Sequence, residues 1–328
     1  MENCIQINVQ EIPLNTILDN SLADNFINRL RIAGKIKRWV KENSNYHAVL
    51  IFSDYSFSYR TLVYFCRKFN KPIFIYQDGF IFFEPWAKNL FGILKGLIYN
   101  GLKFSGYSHL ISYKSFHTNP DRIFSWGDYF SKTFRENVTS KVETLGSIMY
   151  AKGFEINHIE KSPSYKILYY CTFYRDFAKD RAVKSEGIDH FKNIIVTEGD
   201  LTCDIKLHPL DSNKVFLEHL LRQNSLRGQV HFLEANWRLQ ENLGKYRYII
   251  SELSTETIFA SLFCSNIYFV KNGPAEKHYN VLRDFLKLQN IGDKEYYKLD
   301  LNLVDRFQSE YFQKFNVERF EQAVQNLN

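Results

Sequence analysis

The sequence predicts an α/β protein built from two doubly wound domains that face one another across a cleft. In both halves of the 328-residue chain, short apolar runs alternate with helical stretches, as they do in parallel sheets covered by helices. The length also suits two domains better than one. The proportions of hydrophobic residues (45%) and charged residues (24%) are those of an ordinary globular protein.

The charge and the cysteines restrict the class of protein further. A net charge of +6 suits a phosphorylated ligand or an anionic membrane surface, but it is too small to indicate a nucleic-acid partner. None of the five cysteines forms a C-x-x-C pair, so we expect buried free thiols in a reducing cytoplasm. We expect neither a secretory signal nor a spanning helix, since the sequence offers no suitable apolar stretch.

A first domain is expected over residues 1–150. Its apolar run at 47–52, the helical stretch through Phe69 and the strand Lys71–Tyr76 predict a parallel βαβ unit. The other predicted elements are a strand at Cys4–Val9, a helix within Asn15–Glu42, strands at His109–Tyr113, Asp121–Ser125 and Val142–Leu145, and a helix at Gly127–Asn137.

The stretch Trp86–Tyr107 is both basic and amphipathic. Apolar residues recur in it at helical spacing, and Lys88, Lys95 and Lys103 lie between them. Such a helix either lies on an anionic membrane surface or covers the sheet of the first domain. The sequence leaves both alternatives open.

A linker near residues 150–165, where glycine, serine and proline collect, precedes a second domain over residues 165–300. Regular alternation predicts a parallel sheet with helices on both faces. The strands are expected at Lys166–Thr172, Thr202–Leu207, Val230–Leu233, Tyr246–Ile250 and Asn266–Val270, and the helices at Ile188–Thr197, Ser212–Gln223, Trp237–Gly244 and Thr255–Phe263. Residues 301–328 are expected to form a helix that packs back on the first domain.

One strand of the second domain ends in a cationic pair. Side chains alternate along a strand, so Lys206 and His208 share one face, and Pro209 ends the strand because it has no N–H to donate. The carboxyl end of a strand in an open α/β sheet is where ligands bind. The alternative is that His208 only ends the strand and that Lys206 is solvated.

A second candidate feature follows the strand Tyr246–Ile250. Ser254 is placed to cap the next helix, with Thr255 as its first residue. A helix N-terminus has free N–H groups and a partial positive charge, so it can bind a phosphate. The simpler interpretation is that Ser254 is a cap and nothing more.

A third candidate feature is Gln77–Asp78–Gly79, directly after the strand Lys71–Tyr76. Asp-Gly after a strand is most often a tight turn. A carboxylate at this place could also accept a proton from an attacking hydroxyl. Asp78 as base, with His208 and the helix end as acid and phosphate site, would meet the needs of a group transfer from a phosphate-activated donor.

These three motifs resemble those of the bacterial sialyltransferases of the GT-B fold, which consists of two Rossmann-like domains. Asp78–Gly79, His208–Pro209 and Ser254–Thr255 match in order, while Gln77 replaces the first of two acidic residues. The stretches Trp126–Phe130 and Leu145–Ser147 also resemble the end of the first domain in glycosyltransferases of surface polysaccharides.

The resemblance implies an inverting transfer of sialic acid, or a related nonulosonic acid, from a CMP-sugar to a glycan or glycolipid acceptor. It implies Asp78 as general base and His208 as the group that donates to the leaving phosphate. Lys206, Pro209, Ser254 and Thr255 would then surround the phosphate, and Gln77 and Gly79 would lie on the acceptor side. From position alone, we assign Arg175 to the donor carboxylate and Glu234 to the ribose hydroxyls.

Other functions remain open at this point. His-Pro and paired hydroxyl motifs also occur in CMP-Kdo transferases and in CDP-glycerol polymerases, and a non-catalytic nucleotide- or glycan-binding protein is a third class. We expect no metal and no cofactor other than the donor, because Lys206, His208 and the helix end would supply positive charge. We expect a cytoplasmic protein in peripheral contact with the inner face of the membrane.

Overall fold

The structure is a computed structural model, and it divides the chain into two compact units. The first unit consists of residues 1–152 together with 309–328, and the second of residues 153–308. The residues that it describes are 26–43, 45–52, 57–80, 94, 97–98, 101, 119–151, 166–172, 177–199, 202–208, 211, 213–226, 230–271 and 276–326.

The first unit has a sheet of four parallel strands in the order β1-β2-β3-β4. Its elements are α1 (Phe26–Glu42), β1 (Val49–Ile51), α2 (Phe57–Lys68), β2 (Ile73–Tyr76), β3 (Arg122–Ser125), α3 (Asp128–Asn137), β4 (Lys141–Thr144) and α4 (Ile148–Ala151). All four residues of β2 are buried, as a strand flanked on both sides and covered by helices requires. The predicted parallel βαβ unit is confirmed by the pairing of β1 with β2.

The end of the chain packs on this same unit. Residues 301–327 were expected to form one helix, but the structure has α9 (Val304–Tyr311) and α10 (Val317–Gln325) with an extended segment between them. Within this segment, the Gln313 N–H donates to the Trp126 carbonyl at 2.9 Å, and the Asn316 N–H donates to the Leu145 carbonyl at 2.7 Å. The helix is interrupted because these N–H groups bond to the loops that follow β3 and β4 instead of to the preceding turn.

Two glycines make room for that segment. A Cβ on Gly127 would lie 2.3 Å from the Glu310 carbonyl oxygen, and a Cβ on Gly146 would lie 2.2 Å from that of Lys314. Gly146 also has a φ of +90°, which L side chains rarely adopt. The stretches around residues 127 and 146 therefore need glycine for close backbone packing.

The second unit has a seven-stranded sheet in the order β10-β11-β9-β8-β5-β6-β7. Its strands are β5 (Lys166–Tyr170), β6 (Thr202–Lys206), β7 (Val230–Phe232), β8 (Tyr248–Ser251), β9 (Ile267–Val270), β10 (Leu286–Ile291) and β11 (Lys294–Leu299). Its helices are α5 (Phe177–Glu198), α6 (Lys214–Gln223), α7 (Thr255–Ala260) and α8 (Glu276–Leu282), and α9 begins within it.

The sheet of the second unit is mixed: its five predicted strands are parallel as expected, but the sheet as a whole is not the parallel one that was predicted. Strands β5 to β9 are parallel, but β10 and β11 form a hairpin, and β11 pairs with β9 in the antiparallel direction. The signal was in the sequence: Gly292–Asp293 lies between two strand-like runs and suits a two-residue turn. Gly292 has a φ of +58°, as this turn requires.

The helix expected at Trp237–Gly244 is also wrong. This stretch consists of turns and ends in a short 3-10 helix at Leu243–Lys245. Leu239 and Leu243 are both buried, so their helical spacing reflects burial and not a helix. The turn bonds link each N–H to the third residue before it, as in Asn242 N–H to the Leu239 carbonyl at 3.0 Å.

Several predicted elements lie outside the described residues. They are the strands at 4–9 and 109–113, the beginning of the helix within 15–42, and most of the stretch 86–107. In that stretch Leu94, Leu97 and Ile98 are described, and each is at least half exposed.

Of the helices in the described parts of the chain, none has the length and hydropathy that crossing a bilayer takes. Cys66, Cys171 and Cys203 are buried free thiols.

Replacing Gly146 by alanine tests the close packing of the chain end. The strain of a positive φ and the clash with the Lys314 carbonyl should lower the free energy of unfolding by about 2–4 kcal/mol. Gly34→Ala is the matched control, because no described atom lies within 4 Å of its Cβ in the helix α1. It should raise stability by about 0.5–1 kcal/mol. Urea denaturation measures both, and equal stabilities would contradict the packing.

His190 makes the second unit sensitive to acid. The residue is buried on α5, and its ring lies 4.9 Å from that of Tyr296. Burial, and then the charge of Lys294, lower the pKa of His190 to about 4. The unfolded chain binds this proton near pH 6.5, so the folded state loses stability as the pH falls from that value towards 4.

We expect the stability advantage of the wild type over His190→Gln to shrink between pH 7 and pH 4, because glutamine cannot take up the proton. Urea denaturation at a series of pH values measures the difference. His219→Gln, which changes an exposed histidine of α6, is the control. A wild-type advantage that stays constant over this range would show that His190 titrates alike in both states.

Candidate functional site

The candidate site lies at the carboxyl-terminal edge of the sheet in the second unit, where its parallel strands end. Strand β5 pairs in parallel with β8 on one side and with β6 on the other. Tyr170 is in register with Lys206 and with Ser251, so the three strands end at the same level. The chain that follows them carries polar side chains, and strands two positions apart are separated by about 10 Å. Such an edge is the usual ligand site of an open α/β sheet.

His208 is exposed at this edge, just beyond the end of β6. Its carbonyl accepts a hydrogen bond from the Asp211 N–H at 2.9 Å. Partial burial lowers the pKa of His208, an effect that the charges of Asp211 and Glu256 oppose. The imidazole is therefore poised to gain a proton when an anion binds beside it.

Lys206 does not form a free cationic face with His208. Its side chain is buried, and its ammonium donates to the carbonyls of Glu234 at 2.7 Å and Ala235 at 2.9 Å. Burial lowers the pKa of Lys206, while the charge of Glu256 raises it. These bonds attach the loop after β7 to the end of β6. Contact of Lys206 with a donor phosphate stays a prediction.

Ser254 is the N-cap of α7, as its sequence position predicts. Its hydroxyl accepts from the Thr257 N–H at 3.2 Å, and the Thr257 hydroxyl accepts from the Ser254 N–H at 3.3 Å, which completes a capping box. Thr255 begins the helix and is half-buried. The Ser254 hydroxyl is thus already used inside the protein, so any phosphate would meet it as part of the cap.

Two carboxylates at this edge were not singled out from the sequence. The Tyr170 hydroxyl donates to Glu256, and the Thr172 hydroxyl donates to Glu252. Burial, and then the Glu256 charge, raise the pKa of Tyr170. Both glutamates flank Ser254 in the sequence. Their alternation with hydroxyl residues is the sequence pattern that could have indicated them.

A buried ion cluster behind the same edge was also missed. The Lys184 ammonium lies 2.7 Å from an Asp180 carboxylate oxygen and 2.8 Å from an Asp211 carboxylate oxygen. All three side chains are at most 1% exposed. Asp180 and Lys184 are four residues apart in a helix, which in the sequence is typical of a solvated surface pair.

The motif Gln77–Asp78–Gly79 follows β2 in the first unit. Gln77 is fully buried; its Oε1 accepts from the Trp126 N–H at 3.0 Å, and its Nε2 donates to the Gly79 carbonyl at 2.9 Å. Gly79 has a φ of +93°, and the chain bends there. Gln77 therefore holds the ends of β2 and β3 together, while Asp78 is exposed.

The remaining predicted residues are placed as follows. Arg175 and Pro209 lie outside the described residues. The Glu234 side chain is exposed and its carbonyl is bound by Lys206. That Asp78 and His208 face one another stays a prediction, since they belong to different units.

Within the described parts of the chain, no cluster of three His, Cys, Asp or Glu side chains could hold a metal ion.

Comparison with known proteins identifies the fold alone. No family model and no curated protein matches the sequence. MnaA from S. aureus, in a structure with UDP, is similar over 94% of this chain and 85% of its own, with a TM-score of 0.50 and 11% identity. This chain has the GT-B fold. The predicted fold class is thereby confirmed.

Two further solved structures are similar at lower scores. A glycosyltransferase from Rickettsia africae has 13% identity and a TM-score of 0.42, with 98% of this chain and 85% of its own covered. MurG from Acinetobacter baumannii has 12% identity and a TM-score of 0.39, with 79% of this chain covered. The match spans 62% of the length of MurG.

Replacing Lys206 by methionine tests its role at the edge. The two carbonyls after β7 would lose a charged donor, which should lower the free energy of unfolding by about 1–3 kcal/mol. Lys192→Met, on the exposed side of α5, should change it by less than about 0.5 kcal/mol. Thermal and urea denaturation measure both variants. If Lys206→Met is as stable as the control, the ammonium is free to serve a ligand instead.

Proposed function

We propose that this protein is a glycosyltransferase that uses a nucleotide-activated sugar. The observation that carries the proposal is the position of His208, an exposed imidazole just beyond the carboxyl end of β6, a parallel strand paired on both sides. The hydroxyl groups at the start of α7 lie two strands away, about 10 Å, within the span of one nucleotide. The GT-B fold, with its two Rossmann-like units, supports the same class of enzyme.

The proposed reaction inverts the configuration at the anomeric carbon. Asp78 takes the proton of the acceptor hydroxyl, whose oxygen attacks the anomeric carbon of the donor sugar. The bond from that carbon to the phosphate oxygen breaks, and the electron pair leaves with the nucleotide. Protonated His208 donates its proton to this phosphate. One proton is thus taken up and one released, so the enzyme returns to its starting charge overall.

For the donor, we propose a CMP-sugar of sialic acid or a related nonulosonic acid. The support is the sequence resemblance carried by Asp78–Gly79, His208–Pro209 and Ser254–Thr255. In this assignment, Ser254, Thr255, Lys206 and Pro209 surround the phosphate; Arg175 binds the donor carboxylate and Glu234 the ribose. The similar MnaA structure contains UDP, so uridine nucleotides belong in any test.

For the acceptor, we propose a glycan or glycolipid hydroxyl at the inner membrane face. The exposed apolar side chains of Leu94, Leu97 and Ile98, in a lysine-containing stretch, support peripheral contact with anionic lipid. We propose that transfer needs no metal ion, since His208 offers positive charge to the leaving phosphate.

Two alternatives have their own support. A CMP-Kdo transferase or a CDP-glycerol transferase would use the same His-Pro and hydroxyl motifs, and the latter attacks phosphorus instead of carbon. A non-catalytic nucleotide- or glycan-binding protein would need the sheet edge but not the base. Asp78 distinguishes the binding protein from the transferases, because every transfer to a hydroxyl needs a base on the acceptor side; the donor distinguishes the transferases from one another.

A donor screen tests the proposal. Purified protein is incubated with CMP-sialic acid, CMP-Kdo, CDP-glycerol or a UDP-sugar, with and without EDTA, and nucleotide release and glycan products are measured. We expect CMP release from CMP-sialic acid, and EDTA should not change it. Turnover with CDP-glycerol alone would show that the enzyme transfers glycerol phosphate by attack on phosphorus and does not transfer a sugar. Binding without turnover of any donor would show that the protein is a non-catalytic binding protein.

Two variants separate the roles of acid and base. Asp78→Ala should keep CMP binding and reduce transfer by about 10²–10⁴-fold, the usual effect of losing a general base. His208→Ala should reduce transfer similarly and also weaken CMP binding, since it touches the phosphate. Asp305→Ala and His219→Ala, at exposed positions, are matched controls. Wild-type transfer by Asp78→Ala would show that the Asp-Gly motif is only a turn.

A further inference from the structure

Lys184 is a fully buried lysine of the helix α5. Its side chain is 1% exposed. Its ammonium donates to Asp180 at 2.7 Å and to the Thr172 carbonyl at 3.3 Å, and it forms an ion pair with Asp211 at 2.8 Å. A lysine is rarely buried so completely.

The two carboxylates are held by a further residue. The Asn213 side-chain amide donates to Asp180 at 2.5 Å, and the Asn213 N–H donates to Asp211 at 2.8 Å. Burial lowers the pKa of Lys184, but the side chains of Asp180 and Asp211 hold it above its usual value. Lys184 is therefore a charged ammonium at neutral pH.

This cluster is linked to His208 through one residue. The Asp211 N–H donates to the His208 carbonyl at 2.9 Å, and the Asp211 carboxylate receives the Lys184 ammonium. The same ammonium bonds to the chain just after β5, at Thr172. Lys184 thus connects the end of the central strand to the turn that contains the imidazole.

We propose that Lys184 is a positioning residue, which acts through Asp211 to fix the His208 imidazole at the edge of the sheet. The inference rests on the proposed function of His208 as the group that meets the leaving phosphate. A role in stability alone is a weak explanation for the cluster, because apolar residues of similar volume often stabilise a protein as well as a buried ion pair does. Acid catalysis does demand a fixed donor, and a misplacement of about 1 Å costs about 10²-fold in rate.

The charges that face His208 come from several elements. They are Asp211 from its own turn, Lys184 from α5, Glu256 from α7 and Lys206 from β6. Asp211 and Glu256 favour the protonated imidazole, and Lys184 and Lys206 oppose it. Loss of the Lys184 charge should therefore move the His208 titration to higher pH, and loss of Asp211 should move it to lower pH.

The test compares two carboxylates that both bind Lys184. Asp211→Ala removes the carboxylate that joins Lys184 to the His208 turn but keeps the backbone N–H, and Asp180→Ala removes the matched carboxylate within α5. Both should lower the melting temperature. Only Asp211→Ala should lower kcat at saturating donor, by about 10²-fold, and only it should speed amide hydrogen exchange at residue 211. Equal kcat in the two folded variants would overturn the proposal.

Lys184→Met leaves two buried carboxylates without their cation, so it needs a companion that folds. The variant Lys184→Met with Asp180→Asn and Asp211→Asn has no charge left in this cluster. We expect it to fold, to lose protection at the residue 211 amide and to keep a low kcat. If this variant has both the kcat and the stability of the wild type, Lys184 contributes to the stability of the fold and not to the position of His208.

The readouts separate this inference from the proposed function. If the wild type transfers nothing from any donor, the proposed function fails. Amide exchange at residue 211 and the NMR titration of His208, assigned with His208→Gln, still report the position of the turn. If these are unchanged in folded Asp211→Ala and in the uncharged variant, the positioning inference fails, whatever the enzyme transfers.

Discussion

The parallel pairing of β5 with both of its neighbours is the constraint on which the candidate site depends. Because Tyr170 is in register with Lys206 and with Ser251, three loops leave the sheet at the same level. Backbone hydrogen bonds fix this level, and a slip of one residue would turn every side chain to the other face. The polar groups at the edge are thus positioned by the main chain before any side chain contributes.

Much of this frame can be predicted from the sequence. The apolar runs predict the strands of both sheets, and Ser254 is a capping residue in the sequence and in the structure. The hairpin of β10 and β11 is not predicted by the same signal, because alternating strands and helices are typical of parallel sheets. The short stretch after Trp237 was mistaken for a helix because burial at helical spacing also occurs in tight turns.

The polar interior was harder to predict, for a physical reason. A sequence shows which residues carry charge but not which charges lose their water. Asp180 and Lys184 look like a solvated pair until Asp211, from a distant part of the sequence, is brought beside them. Gln77 likewise stands where the resembling motif has an acidic residue. In the structure its side-chain amide accepts from the Trp126 N–H and donates to the Gly79 carbonyl.

The return of residues 309–328 to the first unit has a consequence for how the chain folds as it is made. The second unit is inserted in the first, so a ribosome releases all of the second unit before it releases the last part of the first. Until then the narrow spaces beside Gly127 and Gly146 are empty, and the carbonyls of Trp126 and Leu145 lack their partners. The half that is synthesised first is therefore completed last.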